Sequence, residues 1–363
     1  MDESNLLVEI KDLHTYFYLA EGVVRAVDGV DLKIQRGKTI GIVGESGCGK
    51  SVTSLSLMSL LPPSAKIVSG QILYYKREGK PGENSTVTCI DIAKLNPNSR
   101  EMRSIRGNEI SMVFQEPMTA MIPVRTVGQQ IMEAIILHRN VTPKVAREMT
   151  IDILRRVRMP RPEKVIDDYP FQLSGGMRQR AVIAMALSCN PSLLIADEPT
   201  TALDVTTEAQ ILDLMRALQH DLGMAIMYIT HNLGVVAEMA SEVAVMYLGR
   251  IVEQTDVQSI FFEPLHPYTR GLLSSIPHLD ESILNPNRSR RLNVIKGMVP
   301  DPYSRLQGCP FHPRCPEAIP NLCDRIVPTV TEAKPGHMVR CHLYGEAPSE
   351  KEPQVNYAIN PSK

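Results

Sequence analysis

The chain has 363 residues, enough for about two domains and a sizeable core. Its 39 Lys and Arg against 40 Asp and Glu leave a formal charge of −1, so no global field draws the surface toward nucleic acid or anionic lipid, and no nucleic-acid partner is expected. With 43% hydrophobic and 22% charged residues the composition excludes a disordered, collagen-like or disulfide-built chain.

The first residues, Met1 to Asn5, are acidic and polar, unlike the basic and then apolar start of a signal peptide. Apolar runs such as Ala181 to Leu187 fall far short of the roughly 20 residues that cross a bilayer. Both features predict a chain that stays on the cytoplasmic side and does not span the membrane. Leu6 to Leu13 and Val27 to Ile34 alternate at strand spacing, and Thr39 to Val43 is a short apolar run that leads straight into glycines. After Lys50, the residues Val52, Leu55, Leu57, Met58, Leu60 and Leu61 suit a buried helix stopped by Pro62 and Pro63. Lys76 to Ser85 reads as a hairpin loop between strands Gln71–Tyr75 and Thr86–Ile90.

From Pro123 to Met159 the spacing turns helical, with Ile131, Ala134, Ile135, Leu137, Ile151, Ile153, Leu154 and Val157 recurring at three and four. Beyond it, Leu193–Ala196, Ala225–Ile229 and Val243–Tyr247 are short apolar runs between helical segments, the pattern of a buried parallel sheet. The fold class is therefore α/β, with a strand-rich start and a helical subdomain. After Phe262 prolines multiply and periodicity fades. The expected division is 1–262 for the main domain, with the helical subdomain at about 117–190, then a small loop-rich extension over 263–345 and a loose tail over 346–363.

Gly44-Glu45-Ser46-Gly47-Cys48-Gly49-Lys50-Ser51 matches G-x-x-x-x-G-K-[ST] between a strand and a helix. Such a loop turns successive N–H groups inward on a phosphate at the positive end of the new helix. Lys50 would neutralise the β- and γ-phosphates, and the Ser51 hydroxyl would ligate magnesium. Leu193 to Glu198 is an apolar strand ending in two acids, with Asp197 the natural magnesium partner and Glu198 the natural base for an attacking water. Cys48 reads either as a thiol whose alkylation would block ATP or, more simply, as a small residue that fits.

Leu173-Ser174-Gly175-Gly176-Met177-Arg178-Gln179 resembles the signature motif of ATP-binding cassette proteins. Asp197 to Asp204 resembles the acidic strand and D-loop of that family, with Asp204 in the D-loop; Phe114-Gln115-Glu116-Pro117 is similar to its Q-loop, and Thr230-His231 to its switch histidine. The resemblance implies a P-loop NTPase core of RecA-like type, carrying an antiparallel β-subdomain and the helical subdomain. It also implies head-to-tail pairing, in which Ser174, Gly175, Gly176 and Gln179 face the nucleotide held by a partner chain. Gln115 would sense the γ-phosphate and magnesium, and His231 would hold the γ-phosphate and the water. The resemblance implies an aromatic that stacks on adenine; of Tyr16, Phe17 and Tyr18, Phe17 is favoured because it shares a strand face with Leu13 and Thr15 and because the family places its aromatic at about this distance from Leu13. Asn232 stands where relatives often carry Asp.

Cys309, Cys315, Cys323 and Cys341 are separated by 5, 7 and 17 residues. Four thiols in one proline-rich segment of a reducing compartment point to a metal; the gaps are wide for structural zinc, and an iron–sulfur cluster also takes four thiolates. Arg314, Arg325 and Arg340 could offset its charge, while His312, His337 and His342 suit polar surface roles better than ligation. His266 to Leu273 and Gly308 to Cys315 resemble the C-terminal extension of ATPases from dipeptide and oligopeptide importers. That likeness implies a four-iron four-sulfur cluster, with zinc as the alternative. It also implies two membrane permeases, a second non-identical ATPase, an extracytoplasmic binding protein and a peripheral place at the cytoplasmic membrane face. The transported cargo would be dipeptides or oligopeptides, with oligosaccharides or nickel as alternatives. A soluble cassette acting on ribosomes or DNA is the rival from another class, and it typically carries paired cassettes or a coiled-coil insertion. Met118, Met121 and Met132 are candidates to line a groove for a permease helix, with a place in the core an equal alternative for each.

Overall fold

The computed structural model describes residues 5–78, 86–115, 120–201, 203–275, 295–304 and 306–345. Two sheets organise it. The smaller is antiparallel, in the order β2-β1-β4-β5, built from β1 (Leu6–Leu19), β2 (Gly22–Gln35), β4 (Ala65–Glu78) and β5 (Thr86–Asp91). The larger has the order β11-β12-β10-β9-β3-β8-β7-β6. Its centre is parallel: β3 (Thr39–Val43) lies between β8 (Ala225–Thr230) and β9 (Glu242–Tyr247), and β7 (Leu193–Asp197) joins β8 to β6 (Ile110–Val113). Every residue of β3, β7 and β8 is buried, as expected of strands covered on both faces. One apolar cluster fills the space between the two sheets, through residues such as Leu7, Ile10, Ile42 and Met227. A second lies on the other face, where Ile131, Leu154, Ile183 and Leu214 meet the sheet through Leu194 and Ile226.

Elements with strong local signals fall close to their expected places. The Lys50–Leu57 helix is shorter than its apolar run suggests. Ser59 turns left-handed, and its N–H meets Ser56 O while the Leu60 N–H meets Leu55 O, the double bond of a Schellman end. The helical subdomain contains the Val127–Arg139 and Pro143–Arg156 helices. Ile131, Ile135, Ile153, Leu154 and Val157 are buried there, whereas Leu137 points outward and is 74% exposed.

The C-terminal extension is not a loose appendage. Its hairpin, β11 (Thr331–Lys334) and β12 (His337–Val339), continues the main sheet through β10 (Arg250–Asp256), pairing Glu253 with Val339. The seam is sealed by Glu253, which is 1% exposed and accepts from the N–H groups of Leu265 (2.7 Å) and His266 (2.9 Å) and pairs with His337 Nε2 at 2.7 Å. The expected hairpin loop is described only to Glu78, and the 346–363 tail lies outside the described residues. No helix among the described residues is long and apolar enough to cross a membrane.

Candidate nucleotide site

Four loops leave the carboxyl ends of β3, β8, β7 and β6, which are neighbours in that order, so residues distant in sequence arrive side by side. They bring Gly44, His231, Glu198 and Gln115 to one edge of the sheet. The phosphate loop after β3 requires its glycines. A Cβ on Gly49, at φ +104°, would lie 2.1 Å from Ala26 O, and one on Gly44 would lie 2.2 Å from Met246 O. Gly47 faces open space. Lys50 is buried, and its Nζ donates to Gly44 O at 2.7 Å and Glu45 O at 3.0 Å. Ser46 lies in the same loop, and Cys48 is buried with its thiol pushed up by burial, which fits the simpler reading of a small packed residue.

Asp197 is buried at the end of β7, and burial raises its carboxyl against the opposing hydrogen bond from Ser51. Its Oδ1 has no hydrogen-bond partner among the described residues. A buried, unsatisfied carboxylate oxygen beside a hydroxyl is a donor set that fits magnesium, whose charge would offset the cost of burying Asp197. Glu198 follows at φ +45°, a conformation unusual for a side-chain-bearing residue. Gln115 Nε2 donates to its Oε2 at 3.1 Å, Thr201 Oγ1 donates to the same oxygen at 3.1 Å, and His231 Nδ1 pairs with its Oε1 at 3.0 Å. Burial pushes the Glu198 carboxyl up, but the hydrogen bond and charge of His231, with Thr201 and Lys50, outweigh it and hold the group below the usual carboxylate range. Thr201 carried no signal beyond its place in the acidic motif.

Phe17 is half-buried on the strand face of Thr15, whose hydroxyl meets Ser56 of the helix after the loop at 2.9 Å. Tyr16 turns the other way and donates to Asp28 at 2.8 Å, and Tyr18 is 47% exposed. Asn232 caps the Leu233–Met239 helix, accepting from the Gly234 N–H at 3.0 Å. Glu116 and Pro117 lie outside the described residues.

Ser174 caps the Gly175–Leu187 helix, its Oγ accepting the Met177 N–H at 3.3 Å, and Ser174 and Gly175 are exposed. Among the described residues no hydrogen bond or ion pair joins Ser174, Gly175 or Gly176 to the phosphate loop. Gln179 is fully buried, and its Nε2 donates to Pro199 O at 2.5 Å. Asp204 is exposed and caps the Val205–Leu222 helix through the Thr207 N–H at 2.9 Å and the Thr207 hydroxyl at 2.7 Å.

The metal expectation for the extension is not borne out: no three His, Cys, Asp or Glu among the described residues are arranged to hold a metal ion. Cys309, Cys323 and Cys341 are buried, Cys315 is half-buried, and all four are free thiols. Burial, then the neighbouring thiols, push Cys309 up to about 12; burial likewise takes Cys341 to about 11. The arginines do not line up as a counter-charge either. Arg314 binds Glu45, Arg340 reaches Gly29 O, Arg325 approaches Asp324, and the cation felt by Cys315 and Cys341 is Arg270. His312 and His342 bond backbone carbonyls at 2.8 Å, and His337 is the buried partner of Glu253.

A family model described as "ABC transporter" matches residues 27–201, and one described as "Oligopeptide/dipeptide transporter, C-terminal region" matches 252–323. The chain is 49% identical to the oligopeptide transport ATP-binding protein AppD of Bacillus subtilis over 95% of its own length and 99% of that protein. It is 48% identical to a probable peptide ABC transporter ATP-binding protein, y4tR, of Sinorhizobium fredii, covering 93% of this chain and 95% of the other. Among solved structures it is similar to the ATP-binding cassette MJ0796, in a dimeric post-hydrolysis state bound to ADP and Pi, with a TM-score of 0.58 and 26% identity, covering 69% of this chain and 99% of that one. A phosphate loop, an acidic strand end and a glutamine–glutamate–histidine chain at one sheet edge thus sit on a sequence nearly half identical to these relatives along almost its whole length, and the chain belongs to the ABC transporter family, among the ATP-binding subunits of its oligopeptide and dipeptide branch.

Proposed function

We propose that this chain hydrolyses ATP at the cytoplasmic face of a membrane to drive uptake of dipeptides or oligopeptides. It works through two separate permease subunits beside a second, non-identical ATPase, and an extracytoplasmic binding protein delivers the cargo. The observation that carries the reading is the chain of hydrogen bonds from Gln115 through Glu198 to His231, set against a phosphate loop and the unpartnered Asp197 oxygen. In it Lys50 and the loop N–H groups bind the triphosphate, Ser51, Gln115 and Asp197 hold magnesium, and Glu198 takes the proton of the attacking water while His231 orients it. Magnesium, when bound, supplies charge neutralisation on the phosphates. Phe17 stacks on adenine. Among the described residues the Ser174 hydroxyl donates no hydrogen bond while its oxygen caps the helix, so it and the N–H groups of Gly175 and Gly176 suit the γ-phosphate of a nucleotide held by the partner ATPase.

The permease contact belongs on the helical subdomain. A groove there is lined by Arg125, Gln129, Met132, Glu133, Ile136 and Leu137, and the exposed Leu137 fits such a role. Met132 is in the groove, Met121 is buried in the core, and Met118 lies outside the described residues. Purification of the tagged chain from gently solubilised native membranes tests the assembly: two permeases, a second cassette ATPase and a binding protein are expected, and the reconstituted complex should show peptide-stimulated ATPase activity. Stimulation by an oligosaccharide or by nickel in place of peptide would reassign the cargo. Ribosomal or DNA-repair partners, with the chain absent from membranes, would overturn the transport reading.

The finer reading of Cys309, Cys315, Cys323 and Cys341 as holders of a four-iron four-sulfur cluster is supported by their mutual proximity: each of Cys309, Cys315 and Cys341 feels the charge of other thiols in the set. Iron, sulfide and zinc analysis after anoxic purification checks this; stoichiometric zinc without sulfide, or neither metal, would refute it.

A further inference from the structure

The segment that carries the cysteines reaches the phosphate loop. Arg314, the residue before Cys315, grips the Glu45 carboxylate with both ends of its guanidinium, Nη1 to Oε2 at 2.6 Å and Nη2 to Oε1 at 3.0 Å. Glu45 is the second residue of the loop. The Arg314 side chain is 4% exposed, and it is braced by Tyr247, whose Oη lies 3.4 Å from Nη1 and whose ring centroid is 5.9 Å from Cζ, and by Lys296 O at 3.3 Å from Nε. From the Pro267–Ser274 helix, the Tyr268 hydroxyl accepts the Glu45 N–H at 2.9 Å. Tyr247, Tyr268 and Phe311 pack ring to ring, with centroids 4.7, 5.2 and 5.4 Å apart. One aromatic cluster thus joins β9, the helix after Phe262 and the cysteine segment beneath the loop.

We propose that Arg314 is a positioning residue of the nucleotide site: it cancels the Glu45 carboxylate at the mouth of the loop and, with Tyr268, holds the loop's first turn, so that the C-terminal extension sets nucleotide affinity. The proposal rests on reading Gly44–Ser51 as the triphosphate cradle. A carboxylate within such a loop is a liability, because it repels a polyanion. Arg314 removes that effect by pairing with both carboxylate oxygens. A guanidinium suits the task, since its planar fork matches both carboxylate oxygens and it stays charged when buried. Tyr268 fixes the backbone of the same residue, so Glu45 is held through its side chain and its N–H by the extension and through its carbonyl by Lys50.

The test uses the full chain in its membrane complex, with ATP KM, kcat and thermal denaturation measured together. R314Q is expected to raise the ATP KM about tenfold with kcat within about twofold of wild type, since the interaction acts on nucleotide binding. E45Q/R314Q is expected to return the KM to within about threefold of wild type, because no carboxylate is left to cancel; a strut that merely supported the fold would leave the double variant as impaired as the single. An unchanged KM in R314Q, or a double variant as weak as R314Q, overturns the proposal. If R314Q does not fold, Y268F, which keeps the ion pair and removes the acceptor of the Glu45 N–H, should raise KM about threefold at constant kcat, and an unchanged KM overturns it. K50A separates the two readings. Nucleotide binding that survives K50A sinks the cradle itself, whereas loss in K50A with an unaltered KM in R314Q removes only the role of Arg314.

Discussion

Glu198 concentrates the chemistry at the scale of single residues. Its carboxylate is ordered by three side chains from three different loops and held below the usual carboxylate range, so it is ionised and able to accept a proton at neutral pH. E198Q keeps the shape and removes the base. It should bind ATP, lose at least about a hundredfold in turnover and accumulate an ATP-dependent dimer on gel filtration; turnover at the wild-type rate would refute the assignment. Lys50, Ser51, Asp197 and Glu198 were legible because each lies in a local motif whose chemistry depends on a few neighbours. Arg314 and Tyr268 were not legible in this role. Their partner Glu45 is 269 and 223 residues away along the chain, and neither the proline-rich context nor the spacing points to it.

At the scale of elements, two features invite measurement. The Val127–Arg139 helix begins with a capping box, in which the Thr126 hydroxyl accepts the Gln129 N–H at 3.2 Å and the Gln129 side chain accepts the Thr126 N–H at 3.1 Å. T126A should lower stability by about 1 kcal/mol, read by thermal denaturation, and it should loosen the start of the helix that carries the groove. In the antiparallel sheet, Asp28 accepts from Tyr16, Arg250 (2.6 Å) and His14. Burial pushes the Asp28 carboxyl up, but His14 and Arg250 outweigh it, so it titrates well below its ordinary value, while the Asp28 bond raises His14 despite burial. The Asp28 contribution is therefore present above the ordinary carboxylate range and lost as pH falls through its lowered value. The His14 contribution is full below the ordinary histidine value and lost as pH rises through its raised one. Stability of this sheet should peak between the two, and D28N should cost about 2 kcal/mol there and flatten the profile, as denaturant titrations across pH would report.

At the scale of the whole molecule, the extension and the cassette are one structure. The β11–β12 hairpin adds to the open edge of β10, and the buried Glu253 ties that edge to the 265–266 turn and to His337. E253A should cost about 3 kcal/mol or more, because two backbone donors and an imidazole lose their acceptor together. It should also raise hydrogen exchange in β12 well above that in β3; unaltered protection in β12 would show that other contacts hold the hairpin. The boundary expected after Phe262 followed the rise in proline and the loss of periodicity, which are local signals. They do not report that a three-residue strand such as His337–Val339 finds a partner 84 residues earlier.

By itself the sequence determined the α/β class, the phosphate loop, the acidic strand end and the membership of its signature motif in a known family, because each depends on hydrophobic period or on residues adjacent in the chain. Tertiary structure decided which distant side chains meet. Parallel strand order placed Gln115, Glu198 and His231 in one chain of hydrogen bonds. Helix packing buried Gln179 against the Pro199 carbonyl. Sheet extension and aromatic packing brought Arg314 across to Glu45. These outcomes follow from how buried surfaces fit together, and strand order and side-chain packing are properties of the folded chain that no short window of residues contains.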